Sequence, residues 1–223
     1  MKVKKLLAAV SVAWLFLGGA PAEASDITAA DCAIGGVQAG WRGTYPELPE
    51  EFMETALKDA AWKESPFYIR ALMEDFPEKS VVYNRSAEDM SIFLTAVRMP
   101  QAQTGEDQGE GTAPAKDMYL ETISVWNTKE EEHTKTYKRV AKDMQTPRGI
   151  HIGSTLEEVR AAYGPEDFAD LGENGGGFYL YCTKETAEIL KENENYVGVC
   201  IVFLISSKTG RVTNISVSNS TGK

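Results

Sequence analysis

Residues 146–165 read TPRGIHIGSTLEEVRAAYGP, and this run marks both ends of one amphipathic helix. Ser154 and Glu157 match a capping box, in which the serine oxygen accepts the Glu157 amide and the glutamate carboxylate bonds back to the first residue. The apolar side chains of one helical face are Leu156, Val159 and Tyr163. Gly164, followed by a proline, ends the helix. The sequence therefore predicts a short helix that packs on a core through one face.

Three β-strands are predicted after this helix, from their alternating polarity and β-branched content. They cover residues 178–182, 197–206 and 212–218. A turn at 207–210 joins the last two strands and places Gly210 where a positive φ is required. Residues 184–193, between the first two strands, fit either a second helix or a charged loop.

The first half of the chain shows the same order of parts. Gly36 and Gly40 have the spacing of Gly149 and Gly153, and a helical stretch follows each pair. Each half closes on a strand that contains Ile-Ser-Val, at 123–125 and at 215–217. The predicted fold class is therefore α+β, with two tandem repeats in which helical elements pack on one face of an antiparallel β-sheet.

The elements predicted within the first half are helices at 49–63 and 66–76 and strands at 81–84, 91–99 and 118–126. Residues 101–116 are rich in Gln, Gly, Glu, Ala and Pro, which predicts a disordered hairpin loop. The domain organisation that follows is a signal peptide at 1–24, a first repeat at 25–127, a charged connector at 128–146 and a second repeat at 147–223.

The N-terminus has the three parts of a secretory signal peptide. Lysines occupy positions 2, 4 and 5, an apolar run covers 6–17, and Ala22 and Ala24 are the small residues that precede a cut before Ser25. A retained membrane anchor is disfavoured because a spanning helix needs roughly 20 apolar residues. We expect an exported protein, periplasmic or extracellular, with no stable membrane anchor after cleavage.

The chain is acidic, with a formal net charge of −10, and loss of the lysine-rich signal peptide makes it more negative. No lysine or arginine cluster overrides this charge locally. The charge repels nucleic-acid phosphates and anionic lipids, so nucleic acid is not an expected partner.

The run from Arg148 to Gly164, with residues 209–217, resembles a repeat of the β-lactamase-inhibitor-protein superfamily, which also includes small outer-membrane assembly lipoproteins. The resemblance implies helical elements on one face of an antiparallel sheet, often duplicated in tandem. It covers 148–217 closely and 35–126 loosely, since Gly40 is followed by Trp-Arg-Gly-Thr-Tyr-Pro where the repeat has a capped helix. The matching residues shape a turn and seat a helix, so they imply a fold and not an activity: Gly149, Gly153, Ser154, Glu157, Val159, Tyr163 and Gly164.

Motifs that carry chemistry are missing from the sequence. There is no Gly-x-Ser-x-Gly elbow, no His-Glu-x-x-His zinc motif and no phosphate-binding glycine loop. Of the two histidines, His133 lies in the charged connector and His151 lies between two isoleucines, where packing is the expected role. No catalytic residue, metal site or cofactor is predicted.

Three cysteines remain after export, at positions 32, 182 and 200. Cys182 ends one predicted strand and Cys200 begins the next, so antiparallel pairing would set them side by side. Either they form a disulfide in an oxidising compartment or they are two small buried apolar groups.

Aromatic side chains give the best indication of binding. Tyr179 and Tyr181 alternate with Phe178 along one strand, and in the resembling inhibitor an aromatic sheet face engages the protein partner. With Trp126, the two tyrosines are the predicted partner-binding residues. In the other interpretation they pack under the helices and Phe178 is exposed, because alternation alone does not select the face.

Three functional hypotheses follow from these features. The leading one is a non-enzymatic protein-interaction module of the bacterial envelope or secreted fraction. The alternative is an exported hydrolase or small-ligand-binding protein with a site between the two repeats, which would show convergent carboxylates in an aromatic cleft. A third, a component of envelope assembly, depends on the lipoprotein branch of the resemblance alone.

Overall fold

The structure is a computed structural model that describes residues 26–44, 63–64, 80–86, 90–98, 117–127, 143–172, 175–193, 196 and 198–220. The strands are β1 (Ala33–Ile34), β2 (Val37–Gln38), β3 (Arg42–Thr44), β4 (Lys63–Glu64), β5 (Ser80–Ser86), β6 (Met90–Arg98), β7 (Asp117–Asn127), β8 (Phe168–Leu171), β9 (Gly177–Cys182), β10 (Val199–Ile205) and β11 (Val212–Asn219). The α-helices are α1 (Leu156–Tyr163) and α2 (Lys184–Glu192), and a short 3-10 turn covers Ala29–Asp31.

The larger of the two sheets has the strand order β4-β5-β6-β7-β11-β10-β9-β8, and β3 also pairs with β7. All of these pairs are antiparallel, as is the separate β1-β2 hairpin, so the predicted α+β class with antiparallel sheets is confirmed. The strands of each half run in chain order from one edge towards the centre. The last strands of the two halves, β7 and β11, therefore meet in the middle of the sheet.

The two Ile-Ser-Val tripeptides pair with each other at this centre. Ser124 lies opposite Ser216, and the flanking pairs join an isoleucine of one tripeptide to a valine of the other. Because side chains alternate along a strand, the four aliphatic side chains lie on one face and the serines on the other. The aliphatic residues are all buried in one core: Ile123, Val125, Ile215 and Val217.

Each half also ties its glycine turn to its last strand through the same pair of backbone hydrogen bonds. The Gly40 amide donates to the Leu120 carbonyl over 2.7 Å, and the Leu120 amide donates to the carbonyl of the residue after the glycine. In the same way, the Gly153 amide donates to the Val212 carbonyl and the Val212 amide donates to the Ser154 carbonyl, each over 2.8 Å. Both glycines have positive φ, 101° and 94°, which residues with a Cβ adopt only with strain.

Helix α1 begins one residue later than the sequence predicts. Its capping box joins Thr155 and Glu158, whose side chains each accept the other's amide, at 3.2 and 2.7 Å. The prediction of Ser154 and Glu157 is wrong because the Ser154 carbonyl accepts the Val212 amide of β11. This bond holds Ser154 against the sheet and leaves the next residue as the first cap.

Gly164 ends α1 with a φ of 80° and donates its amide to the Arg160 carbonyl. The helix buries Val159 and Tyr163 completely, and Leu156 packs partly against the same core. Gly149 in the preceding turn has a φ of 82°. These positions account for the amphipathic pattern from which the helix was predicted.

Apolar side chains cover both faces of the sheet in the second half. The α1 face, defined by the side on which Val159 and Tyr163 pack, holds the main core. On the other side, here the α2 face, helix α2 packs Ala187 and Leu190 over Leu180 and the neighbouring cysteines. Residues 184–192 are thus a helix, one of the two interpretations left open by the sequence. The prediction that the helical elements pack on one face of the sheet is wrong for this half, because both faces carry apolar side chains and α1 and α2 cover opposite ones.

The N-terminal segment, residues 26–41, packs into the main core, which holds side chains of β7 as well as of α1 and the strands of the second half. Five of its buried side chains join the cluster that contains Tyr163, and they are Ile27, Cys32, Ile34, Val37 and Ala39. The Gly35 amide donates to the Gln145 carbonyl just before the turn to α1. The start of the described chain therefore completes the packing of its end.

The remaining predicted elements have mixed outcomes. Strands β5, β6, β7, β9, β10 and β11 are confirmed, with bounds shifted by one or two residues. Strand β8 was not predicted, since its four residues FADL show no alternation and three of them are exposed. Lys63, the end of a predicted helix, lies in β4. The rest of 49–62, all of 66–76 and the loop 101–116, with His133 and most of the connector, lie outside the described residues.

Candidate functional site

A row of side chains crosses four adjacent strands on the α2 face, beyond the area that α2 covers. Phe178 of β9 lies opposite Leu204 of β10, which lies opposite Asn214 of β11, which lies opposite Trp126 of β7. Directly opposed residues in an antiparallel sheet share a face, and strands lie about 4.8 Å apart, so this aromatic row spans about 14 Å. Phe178, Leu204 and Trp126 are each partly exposed.

Asn214 is the polar member of the aromatic row. It is buried, and its side-chain amide donates to the Val125 carbonyl over 3.1 Å. This bond fixes the side chain across the boundary between β11 and β7. The Asn214 side chain therefore has a defined position in the row, between Leu204 of β10 and Trp126 of β7.

Next to the aromatic row lies a ladder of hydroxyl groups at the junction of the two halves. Ser124 and Ser216 are joined by a 2.7 Å hydrogen bond between their hydroxyl oxygens, and Thr122 and Ser218 by one of 3.1 Å. Each hydroxyl carries one hydrogen, so a pair uses one and keeps one to donate. Ser218 also donates to the Glu121 carbonyl at 3.4 Å. The Ser124–Ser216 bond uses one of the two hydroxyl hydrogens of the pair, and no acceptor for the other lies among the described residues.

Tyr179 and Tyr181 lie on the α1 face, and this corrects the prediction that they form a partner-binding surface. Their residual exposures are 2% and 0%. The Tyr181 ring lies 5.5 Å from Tyr163 of α1 and 5.8 Å from Phe203, measured between centroids. Because side chains alternate along the strand, both tyrosines lie under α1 and Phe178 lies on the opposite side. Of the three predicted residues, only Trp126 lies on the partly exposed face.

The burial of Tyr181 leaves its hydroxyl without a hydrogen-bond partner among the described residues. Desolvation is the main reason that its pKa is raised, with a smaller contribution from the nearby Glu166 carboxylate. Tyr179 keeps a 3.0 Å bond from its hydroxyl to the Gly175 carbonyl. A neutral, unpaired phenol in a packed core does not act as a general acid or base.

Arg148, in the turn that precedes α1, connects the N-terminal segment to α1 through hydrogen bonds to both. Its Nε donates to Asp31 Oδ1 over 2.7 Å, its Nη1 donates to the Ala162 carbonyl, and its guanidinium lies 4.8 Å from the Tyr163 ring centroid. Burial acts to raise the pKa of Asp31, but hydrogen bonds from Arg148 and Thr28 outweigh it and hold the pKa below its ordinary value. Sequence reasoning missed this pair because its members are far apart in the chain.

A shallow cavity of about 380 Å³ lies beside α1, lined by polar groups that include His151 and Glu158. His151 Nδ1 lies 2.8 Å from the Ile152 carbonyl, and the Glu158 carboxylate is occupied in the helix cap. The cavity lies within the second half, and Glu158 is its single carboxylate. It therefore gives no support to a hydrolase or ligand-binding site between the two repeats.

All three cysteines are buried, and none of them is in a disulfide bond in this structure. Cys182 lies directly opposite Cys200 in the β9-β10 register, as expected, but no bridge joins them in this structure. Burial raises the pKa of all three thiols, that of Cys200 to about 12. A thiol nucleophile needs a depressed pKa, so the environment of Cys32 does not favour catalysis.

No family model, curated protein or solved structure matches this chain. In the part of the chain that the structure describes, no three His, Cys, Asp or Glu side chains converge in a way that could hold a metal ion. Among the same residues, none of the helices has the length and apolar character needed to cross a membrane.

Proposed function

We propose that this protein is an exported, non-enzymatic protein-binding module and that the aromatic row with the hydroxyl ladder is its partner-binding surface. The observation that carries the proposal is the alignment of Trp126, Leu204 and Phe178, all partly exposed, across four strands. Tryptophan and other aromatic side chains dominate binding energies at protein interfaces because they bring large, rigid contact areas.

The surface has the composition of an interface centre rather than of a catalytic cleft. Its apolar side chains lie beside uncharged polar groups, the Asn214 amide and the serine hydroxyls. The charged Asp170 lies outside the row, opposite Phe178 on the exposed edge strand β8. Depletion of charge at the centre with polar groups at fixed positions is typical of protein-binding surfaces. The remaining hydrogen of the Ser124–Ser216 pair favours a partner that brings a carbonyl or carboxylate oxygen.

We also propose that the two halves are tandem repeats of one unit, as in the superfamily that the sequence resembles. The mirrored strand order and the pairing of the two Ile-Ser-Val tripeptides support this. So do the identical bonds from Gly40 to Leu120 and from Gly153 to Val212. On this proposal, the binding surface crosses the junction, with β7 from one repeat and β11 from the other.

Export and cleavage before Ser25 belong to the same proposal. The first described residue, Asp26, already has its carbonyl bound by Arg148 over 2.8 Å. A mature chain that begins at Ser25 would keep this bond and the other described contacts of the N-terminal segment. The proposed location is the periplasm or the extracellular space.

The test is affinity capture from an envelope extract of the producing bacterium, with the wild-type chain and substituted chains compared side by side. The surface variant is Trp126→Ala with Phe178→Ala. The matched controls are Leu171→Ala and Ile189→Ala, which remove two large hydrophobic side chains that are 54% and 40% exposed and lie away from the row. We expect one protein to be retained by the wild type and both controls and lost with the surface variant.

A partner found in this way is then titrated calorimetrically against the same chains. Truncation of an interface hot spot costs about 2 kcal/mol, or roughly a 30-fold rise in Kd. Circular dichroism establishes that the surface variant is folded. Capture that returns no recurrent protein, or a Kd that the surface variant leaves unchanged, refutes the proposal.

A further inference from the structure

Cys182 and Cys200 lie directly opposite each other at a non-hydrogen-bonded position of the β9-β10 pair. The Thr183 amide donates to the Val199 carbonyl, and the Cys182 amide donates to a carboxylate oxygen of Asp167. The two cysteines therefore form a pair that exchanges no backbone hydrogen bonds. In such pairs the Cα atoms approach to about 4.5 Å, within the range of roughly 4.4–6.8 Å that a disulfide spans.

Both side chains of the pair point to the same apolar environment. Cys182 and Cys200 belong to the cluster beneath α2, with Leu180, Ala187 and Leu190. Cys32 belongs to the other cluster, on the α1 face, and its thiol contacts the Cys200 carbonyl at 3.5 Å rather than its side chain. The geometry therefore separates one facing pair from one remaining thiol.

We propose that Cys182 and Cys200 form a disulfide bond when the chain folds in an oxidising compartment, and that Cys32 remains a thiol. The bond would join β9 to β10 and close a loop that contains α2. The proposal is independent of the protein-binding surface, because none of the three cysteines belongs to the aromatic row or the hydroxyl ladder.

The oxidant is a disulfide, either a small one such as glutathione disulfide or that of a thiol–disulfide oxidoreductase. One cysteine thiolate attacks a sulfur of the oxidant, which forms a mixed disulfide and releases one thiolate. The second cysteine thiolate attacks the protein sulfur of that mixed disulfide and releases the other. Two thiols of the chain lose two electrons and two protons, and one oxidant disulfide becomes two thiols.

The packing of α2 sets the order of these events. In the folded chain the Cys182 residue is 0% exposed and Cys200 is 6% exposed, and burial keeps both thiols protonated. An oxidant needs access to a thiolate, so the folded thiols react slowly. The bridge therefore forms before α2 closes over the pair, and oxidation of chain that has already folded is limited by the opening of α2.

The experiment starts from the full chain purified in reductant. One sample is unfolded and refolded in a buffer of reduced and oxidised glutathione, and a second enters the same buffer without unfolding. Free thiols are then alkylated in denaturant, and unreduced peptides are mapped by mass spectrometry. We expect one alkylated thiol, Cys32, and a Cys182–Cys200 peptide pair in the refolded sample, with a bridge that forms at least about tenfold more slowly in the folded sample.

The variant Cys32→Ser serves as the matched control and should still bridge, whereas Cys182→Ser should not. We expect the Tm of the bridged wild-type chain to be about 5–10 °C above that of the reduced wild-type chain, because the disulfide closes a loop. Three alkylated thiols after refolding, or a bridge that contains Cys32, would overturn the proposal. If a variant does not fold, the peptide map of the wild-type chain decides by itself.

Discussion

Two neighbouring tyrosines on the α1 face should respond in opposite directions to the same substitution. The Tyr163 hydroxyl bonds to Thr146 Oγ1 over 2.8 Å, whereas the buried Tyr181 hydroxyl, on the ring beside it, has no hydrogen-bond partner in the part of the chain that the structure describes. An unpaired buried polar group costs about 1–3 kcal/mol, and a net intramolecular hydrogen bond contributes about 1 kcal/mol. We expect Tyr181→Phe to stabilise the protein by about 1 kcal/mol and Tyr163→Phe to destabilise it by about the same amount.

The expected difference between the variants, about 2 kcal/mol, corresponds to a Tm difference of roughly 4–8 °C for a chain of this size. Guanidinium unfolding, followed by tryptophan fluorescence, measures it as a change of midpoint at constant m-value. The two substitutions remove the same atom from rings whose centroids are 5.5 Å apart, so each controls for the other. Equal destabilisation of both variants would refute the reasoning, because it would mean that a partner satisfies the Tyr181 hydroxyl.

Two further predictions concern α1 and the N-terminal segment. Thr155→Ala removes the observed helix cap and should cost about 1 kcal/mol in a denaturant titration. Glu157→Ala, which removes the acidic member of the capping box predicted from sequence, should cost nothing measurable. The Asp31 pKa is lowered from its ordinary value of 3.8, so its stabilising contribution is complete above that pH and is lost as pH falls through the folded-state pKa. Asp31→Asn should therefore lose less stability than the wild type between pH 5 and about pH 2; identical slopes would contradict the role of the Arg148 pair.

Local sequence patterns were sufficient for most elements of the second half. The end of α1 at Gly164, the hairpin turn at Gly210 and the facing positions of Cys182 and Cys200 depend on residues near one another in the chain. Each reflects a local cause: a positive φ, a helical apolar stripe or alternation along a strand. The edge strand β8 lacks such a pattern, which is why it was missed.

The candidate site depended on information that local patterns do not contain. Alternation along the strand places Tyr179 and Tyr181 on one face and Phe178 on the other, but it does not determine which face is buried. That is determined by the helix that packs on the sheet. Trp126 therefore lies on the partly exposed face, whereas the two tyrosines are buried under α1. Leu204 and Asn214 joined the surface because cross-strand pairing aligned them with Trp126, and that alignment requires the register of three strand pairs.

What local chemistry determines in this protein is the identity of its elements, because capping, turn conformation and side-chain period act within a few residues. Only the tertiary structure decided where these elements meet: β7 against β11, the N-terminal segment under Arg148, and α1 over the tyrosines. The one-residue shift of the helix cap shows how a contact between residues distant in sequence decides what local chemistry leaves open. Ser154 and Thr155 have the same capping chemistry, and a hydrogen bond from Val212, distant in sequence, selected between them.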